Sequence, residues 1–135
     1  MPNMSYFLTT KQFINHEKDV TRRLGWANLK ANDNYTAVKK SQGLKLGEKI
    51  QKLGECICIS NAPEPLDEII HRPYRNGSKR SEMAREGFPE MTAEQFVEFF
   101  CKHMKTTPET TVNRIEFMPL GFVETTTSKQ VKLGV

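Results

Sequence analysis

The sequence predicts an α+β fold, in which helices pack on a small curved sheet or β-barrel of about five to six mostly antiparallel strands. The predicted helices come in a block between strands and do not alternate with them, which argues against a doubly wound parallel sheet. The length of 135 residues corresponds to one domain that can bury a core. A hydrophobic content of 37% and a charged content of 27% suit a globular domain with a polar surface.

The N-terminal half is predicted to contain one helix and three strands. Thr9 and Gln12 fit a capping box at the start of a helix over residues 9–16. The strands are expected at residues 19–24, 35–40 and 50–60, and Gly54 fits a bulge in the third. The prolines of the segment NAPEPL then break the strand pattern, so that the third strand is expected to end before it.

The C-terminal half is predicted to contain helices and one further strand. Thr92 and Gln95 form a second capping box, and apolar side chains recur at helical spacing through residue 104, which we interpret as core contacts. Ser81 can cap a short helix that runs to Glu86. The remaining predicted elements are a helical turn at 66–71 and a strand at 112–118. Residues 1–123 are expected to form a single domain, followed by a polar, flexible C-terminal tail at 124–135.

Composition argues against several classes of protein. The cysteine count is odd, and no spacing among Cys56, Cys58, Cys101 and His103 matches a structural zinc pattern, so neither a disulfide framework nor a metal site is expected. No glycine-rich phosphate loop is present, and no cofactor is expected. Without an apolar stretch of about 20 residues or a signal peptide, the prediction is a cytoplasmic protein that does not enter membranes. A monomer is the default.

The segment EKDVTRR concentrates the candidate chemistry in Lys18, Thr21, Arg22 and Arg23. A threonine hydroxyl needs a base within hydrogen-bond reach before it can act as a nucleophile. A lysine can be that base only if burial or nearby positive charge lowers its pKa. From the residues alone, the simpler interpretation as a solvated basic strand is preferred to a catalytic one. The net charge of +4 is compatible with weak attraction to phosphates.

This segment resembles the signature of ASCH-domain proteins, a branch of the PUA-like superfamily. The usual signature is Gly-x-Lys-x-x-x-x-Arg with a threonine between the lysine and the arginine. Lys18, Thr21 and Arg23 match it, whereas His16 occupies the position of the glycine. The segments QGLKLGEK, REGFP, FVEFF and RIEFMPL also agree with the family, so the resemblance covers roughly residues 5–120.

The resemblance implies a small PUA-like β-barrel with a cleft beside the signature strand, and RNA or a modified nucleoside as the partner. One branch is similar in more detail, namely the small amidohydrolases that remove the acetyl group from N4-acetylcytidine. Their catalytic lysine, threonine and glutamate correspond to Lys18, Thr21 and Glu86. Lys18 would then act as the base, Thr21 as the nucleophile, and Glu86 would orient Lys18 or relay a proton. Arg23 or backbone N–H groups would stabilise the oxyanion.

Two alternatives to amide hydrolysis stay open. The first is an RNA-binding module without chemistry, and the second is a ribonuclease that cleaves single-stranded RNA with the same surface. In both, Trp26 could offer a stacking face for a base. The basic residues expected to form one continuous binding face are Arg22, Arg23, Lys39, Lys40, Arg75, Lys79 and Arg80.

Overall fold

A curled five-stranded sheet forms a half-barrel in the structure, a computed structural model that describes residues 2–122. The strands run β1-β3-β4-β5-β2 across the sheet. Their bounds are Asn3–Ser5 for β1, Val20–Arg23 for β2, Asn34–Val38 for β3, Lys52–Pro65 for β4 and Thr111–Phe122 for β5. The α+β class is confirmed. The predicted tail at 124–135 lies outside the described residues.

The sheet is mixed, which corrects the expectation of a mostly antiparallel barrel. β1 runs parallel to β3, whereas β3–β4, β4–β5 and β2–β5 pair antiparallel. The sequence did not predict β1, because three residues are too short for an alternating pattern to show. Since β1 and β2 lie at opposite edges of the sheet, the curl ends in a gap between these two strands.

Four α-helices accompany the sheet in the part of the chain that the structure describes. α1 spans Thr10–Ile14 and follows a 3-10 turn at Phe7–Thr9, α2 spans Glu68–His71, α3 spans Glu82–Glu86 and α4 spans Ala93–Met104. Among residues 2–122, no helix combines the length and the apolar character that crossing a bilayer requires.

Two of the three predicted helix caps are confirmed. At α4, the Thr92 side chain accepts a hydrogen bond from the Gln95 N–H, and the Gln95 side chain accepts one from the Thr92 N–H. At α3, the Ser81 hydroxyl accepts from the Ala84 N–H. The capping box predicted at Thr9 is wrong, because the Gln12 side chain donates instead to the Gly87 carbonyl, 3.1 Å away.

β4 continues five residues beyond its predicted end and includes the segment that was expected to break it. β3 pairs with β4 only as far as Ile57, whereas β5 pairs with it as far as Pro65. Within residues 2–122, the later part of β4 therefore has a strand neighbour on one side only, so Pro63 and Pro65 are tolerated although they lack an N–H. This extension places Glu64 opposite β5, beside the charged residues described below.

Most of the buried apolar residues that the structure describes belong to two clusters. One lies against the sheet and includes Tyr6, Phe13, Tyr35 and Phe117, whose rings contact one another. The other joins α2, α3 and α4 to the sheet; its buried members are Leu66, Ile69, Met83, Phe96, Val97 and Val112. The amphipathic face predicted for α4 is thus used in packing, but Phe99 and Phe100 of the same helix are only partly buried.

Gly87 ends α3 and fixes the approach of α1 to it. Its φ of +100° lies in the region that favours glycine. A Cβ at this position would lie 3.2 Å from the Gln12 Cβ and 3.5 Å from the Thr9 Cγ2. Glycine at this position therefore allows both the turn and the close contact between the two helices.

We expect Gly87→Ala to lower the free energy of unfolding by about 1–3 kcal/mol, because alanine is strained at this φ and its Cβ presses on α1. Denaturant titration measures the effect. Gly25→Ala is the matched control, since a Cβ there has no neighbour within 4 Å. Equal stability of the two variants would contradict the argument.

Candidate functional site

A cleft of about 250 Å³ opens between the turn after β1, strand β2 and helix α4. Its polar lining includes Lys18, Thr21, Arg23 and Glu86. Its apolar lining comes largely from α4 and the residues before it, namely Phe88, Phe96, Phe99, Phe100 and Met104. The cleft therefore brings together the three residues predicted to be catalytic and surrounds them with aromatic rings.

Lys18 lies in the segment between α1 and β2. Residues three apart on a regular strand point to opposite faces, but Lys18 precedes the strand and can therefore share a cleft with Thr21. The Lys18 side chain is 3% exposed. The ammonium donates to the backbone carbonyl of Glu86 at 2.6 Å and to Glu86 Oε1 at 3.1 Å. Burial lowers the pKa of Lys18 to about 8, although Glu86 opposes this shift. Lys18 therefore loses its proton more readily than an exposed lysine does.

Arg23 holds Thr21 and spans the gap in the half-barrel. Its Nε donates to the Thr21 hydroxyl oxygen at 2.9 Å, and one terminal nitrogen donates to the Ser5 carbonyl of β1 at 2.6 Å. The guanidinium also lies 5.0 Å from the centre of the Tyr6 ring. Because Arg23 is engaged with Thr21 in this way, it positions the hydroxyl and leaves the Thr21 proton for another acceptor. Within residues 2–122, no hydrogen bond joins Thr21 to Lys18.

Glu86 is held between two cations. Lys18 binds its Oε1, and Arg22 donates to its Oε2 at 2.8 Å. The other terminal nitrogen of Arg22 lies 2.6 Å from Glu82 Oε1 and 3.3 Å from Glu64 Oε2. The side chains of Arg22 and Glu82 have no exposed surface. Breaking one partner of such a buried pair costs about 3–5 kcal/mol.

Further ion pairs neutralise the acidic groups around Arg22. Arg114 donates to both oxygens of Glu82, at 2.7 and 2.9 Å, and Arg75 pairs with Glu64 at 3.0 Å. Burial by itself would raise the pKa of Glu82, but the hydrogen bonds from Arg114 and Arg22 outweigh it and lower the pKa to about 2. Glu82 is thus ionised at neutral pH.

The basic residues predicted to form one continuous RNA-binding face lie in separate places in the structure. Arg22 and Arg75 are buried in ion pairs with carboxylates. Arg80 is exposed, and it donates to the carbonyls of Glu17 and Ala84. Lys79 is exposed on the loop before α3. Lys39 and Lys40 follow β3, and with Lys49 they line a small notch that includes Phe7, which also lines the main cleft.

Trp26 lies away from the main cleft. It lines a separate groove with Pro2, Leu29 and Asp33. Its ring packs 6.1 Å from that of Tyr35 in the core. Trp26 is therefore a partly buried aromatic packed on the core, and it is not among the described residues that line the cleft with Lys18 and Thr21.

The aromatic residues that line the cleft, Phe88, Phe96, Phe99 and Phe100, include side chains of α4 that the sequence predicts to be core. Phe88 packs against Phe96 and Phe99, with ring centres 6.0 and 6.2 Å apart, and Phe99 stacks on His103. Phe99 and His103 are four residues apart, so they share a helix face that extends beyond the buried positions. The spacing of Phe99 and His103 was therefore the signal in the sequence that α4 carries aromatic side chains outside its buried face.

Comparisons with known proteins support the fold alone. No family model matches the chain, and none of the curated proteins does. A solved structure that matches is the crystal structure of protein EF3133 from Enterococcus faecalis V583, described as family-model DUF984. The TM-score is 0.53 at 12% sequence identity, and the match covers 90% of this chain and 76% of that one. At this identity, the similarity carries no information about activity.

We expect the stabilising effect of Glu82 to be lost in acid. A carboxyl whose pKa is lowered by folding stabilises the fold above its unfolded pKa of about 4.5, and the effect disappears as the pH falls through about 2. Glu82→Gln should therefore be less stable than wild type at pH 7, and the difference should shrink between about pH 4.5 and 2. Denaturant titrations across this range measure it.

Glu90→Gln, a change at an exposed carboxyl, is the control and should follow the wild-type curve. A constant difference between wild type and Glu82→Gln at every pH would contradict the prediction.

Proposed function

We propose that the protein hydrolyses the amide of an N4-acylated cytidine. The observation that carries the proposal is the convergence of a buried lysine of lowered pKa, a positioned threonine hydroxyl and a fixed glutamate on one cleft with aromatic walls. The match of Lys18, Thr21 and Arg23 to the ASCH signature, and of Glu86 to the glutamate of the amidohydrolase branch, supports it.

The cleft favours one small planar ligand. Its volume of about 250 Å³ lies just below the lower limit of about 300 Å³ for common small-molecule pockets. Phe88 and Phe99 line the cleft, and stacking of a base on an aromatic ring contributes about 1–3 kcal/mol in proteins that bind single strands. A nucleobase with a short acyl group fits these dimensions better than a segment of RNA does.

The proposed reaction takes two acyl-transfer steps. Neutral Lys18 accepts the Thr21 proton as the hydroxyl oxygen attacks the amide carbonyl. The proton then passes to the departing N4 atom, so that cytidine leaves as the free amine and the acyl group stays on Thr21. Water attacks this ester with Lys18 again as the base, which releases the carboxylic acid and restores the hydroxyl. Glu86 orients Lys18 throughout, and Arg23 positions Thr21.

A small motion is required before the first step, because Lys18 donates to Glu86 and not to Thr21 in this structure. Catalytic hydrogen bonds often tighten only when substrate is bound. A neutral Lys18 has a lone pair, which the carbonyl and carboxylate oxygens of Glu86 cannot bind. Loss of the proton therefore weakens the contacts with Glu86 and favours a turn of the amine toward the cleft.

We expect wild type to release cytidine from N4-acetylcytidine, and Thr21→Val to lower kcat/KM by at least about 1,000-fold, since valine keeps the shape but lacks the nucleophile. Thr21→Ser is the matched control, because it keeps the hydroxyl, and it should stay within about tenfold of wild type. Chromatographic detection of cytidine measures both.

Equal rates for Thr21→Val and wild type would contradict a threonine nucleophile. An inactive wild type that binds single-stranded RNA, with affinity falling steeply in salt, would favour the RNA-binding candidate instead. That candidate draws support from the notch lined by Lys39, Lys40 and Lys49 next to Phe7.

The rate should also depend on the protonation of Lys18. Only the neutral amine can accept the Thr21 proton, so kcat/KM should rise with pH and reach half its maximum near pH 8. A pH–rate profile between about pH 6 and 10 measures this. A rate that stays flat or falls through that range would exclude Lys18 as the base.

A further inference from the structure

The carboxylate of Glu86 serves two cations that lie on opposite sides of it. Lys18 takes one oxygen at 3.1 Å and faces the cleft, whereas Arg22 takes the other at 2.8 Å and faces the buried acidic residues. Lys18 is 3% exposed at its side chain, and Arg22 has no exposed side-chain surface. The two cations therefore compete for one negative charge where water screens little.

We propose that Arg22 is a positioning residue which, by holding one oxygen of Glu86, controls whether Lys18 keeps or releases its proton. The importance of this control for catalysis rests on the proposed function, in which neutral Lys18 is the base. Arg22 is among the residues that line the cleft, but its side chain has no exposed surface, so we place it behind Glu86 and not against the substrate. It acts on Lys18 by holding Glu86 and by its own positive charge.

The physical reason lies in how the charge of Glu86 is shared. A guanidinium stays charged at every accessible pH, so Arg22 neutralises Glu86 permanently. Lys18 then meets a carboxylate whose charge is already partly balanced, so its ammonium is stabilised less than an ion pair with Glu86 alone would suggest. Without Arg22, the whole charge of Glu86 would be available to Lys18, which would hold its proton more tightly.

Arg22 is itself fixed, so it cannot leave Glu86 when Lys18 titrates. Glu82 binds its second terminal nitrogen at 2.6 Å, and Glu64 lies 3.3 Å from the same atom. Arg114 and Arg75 in turn hold those two carboxylates. This arrangement gives Arg22 a single orientation, with one nitrogen aimed at Glu86.

The charged groups around Lys18 agree with this role. Glu86 of α3 raises the pKa of Lys18, whereas burial, which is the largest effect, and the charges of Arg23 and Arg22 on β2 lower it. On α4, the titratable group lining the cleft is His103, at the exposed rim. Arg22 thus opposes Glu86 both by its own charge and by occupying Oε2.

The experiment is an NMR titration of the Lys18 side chain in the full chain, with the Lys18 signal identified by its loss in Lys18→Gln. We expect the Lys18 midpoint to be higher in Arg22→Met than in wild type by about one pH unit or more. Arg114 still pairs with Glu82 and Arg75 with Glu64 in this variant, which limits the damage to the fold. Arg22→Gln, which keeps an N–H donor for Glu82, is the second variant and should raise the midpoint in the same direction.

Arg75→Met is the matched control, because it also removes a buried cation that pairs with Glu64. Arg75 has no ion pair with Glu86 among the described residues. The Lys18 midpoint of this variant should stay within about 0.3 units of wild type. An unchanged or lower midpoint in a folded Arg22 variant, or an equal rise in Arg75→Met, would overturn the proposal.

The titration also separates this inference from the proposed function. If the midpoint rises in the Arg22 variants while wild type leaves N4-acetylcytidine intact, Arg22 controls Lys18 and the amidohydrolase proposal fails. If wild type is active, the pH of half-maximal kcat/KM should move upward with the NMR midpoint in the Arg22 variants.

Discussion

The candidate site depends on one carboxylate, that of Glu86, which two buried cations share. Glu86 sits at the last turn of α3, and the glycine after it lets α3 end against α1. Lys18 reaches it from the segment before β2, and Arg22 from β2 itself. Glu86 thus joins α3 to the strand that lines the cleft, together with Glu82 of the same helix, which binds Arg22 at 2.6 Å. Because the pair is buried, the positions of these two elements are tied to its hydrogen bonds.

The cleft lies where the sheet fails to close. β1 and β2 are the two edges of the half-barrel, and no strand pairing connects them among the described residues. Arg23 crosses this gap with one nitrogen on the Ser5 carbonyl and another on the Thr21 hydroxyl. The Arg23 side chain therefore provides a hydrogen-bond donor for a carbonyl of the edge strand β1, and it also orients the hydroxyl of Thr21, the candidate nucleophile. A closed barrel would leave no room for a ligand at this point.

The sequence predicted the parts of the fold that depend on local patterns. The Thr92–Gln95 capping box and the Ser81 cap were readable, because each needs only residues three positions apart. The extension of β4 through Pro63 and Pro65 was not, since it depends on β3 ending early at a distant point in the chain. The same holds for Gln12, which finds its partner 75 residues away at Gly87.

The candidate site was predictable in part for the same reason. The resemblance at Lys18, Thr21 and Glu86 indicated residues that the structure brings to one cleft, while their roles stay predictions. Arg22 was assigned to RNA because nothing local reveals that three carboxylates surround it. The cleft face of α4 was not separated from the core face because aromatic side chains that line a cleft follow the same helical spacing as buried ones, and only Phe99 and His103 indicated a second face.

Lys18 costs the fold stability at neutral pH, and this cost bears on its role. A lysine whose pKa falls from 10.5 to about 8 on folding destabilises the native state by about 3 kcal/mol below pH 8, and the penalty is relieved as the pH rises from about 8 to 10.5. An apolar side chain of similar length would avoid it. Arg22 fixes one oxygen of Glu86, and the other oxygen holds the Lys18 amine. Lys18 and Thr21 line the same cleft. A lysine of lowered pKa in a cleft is typical of functional sites. The stability cost of Lys18 thus supports the proposal that this lysine acts as a base.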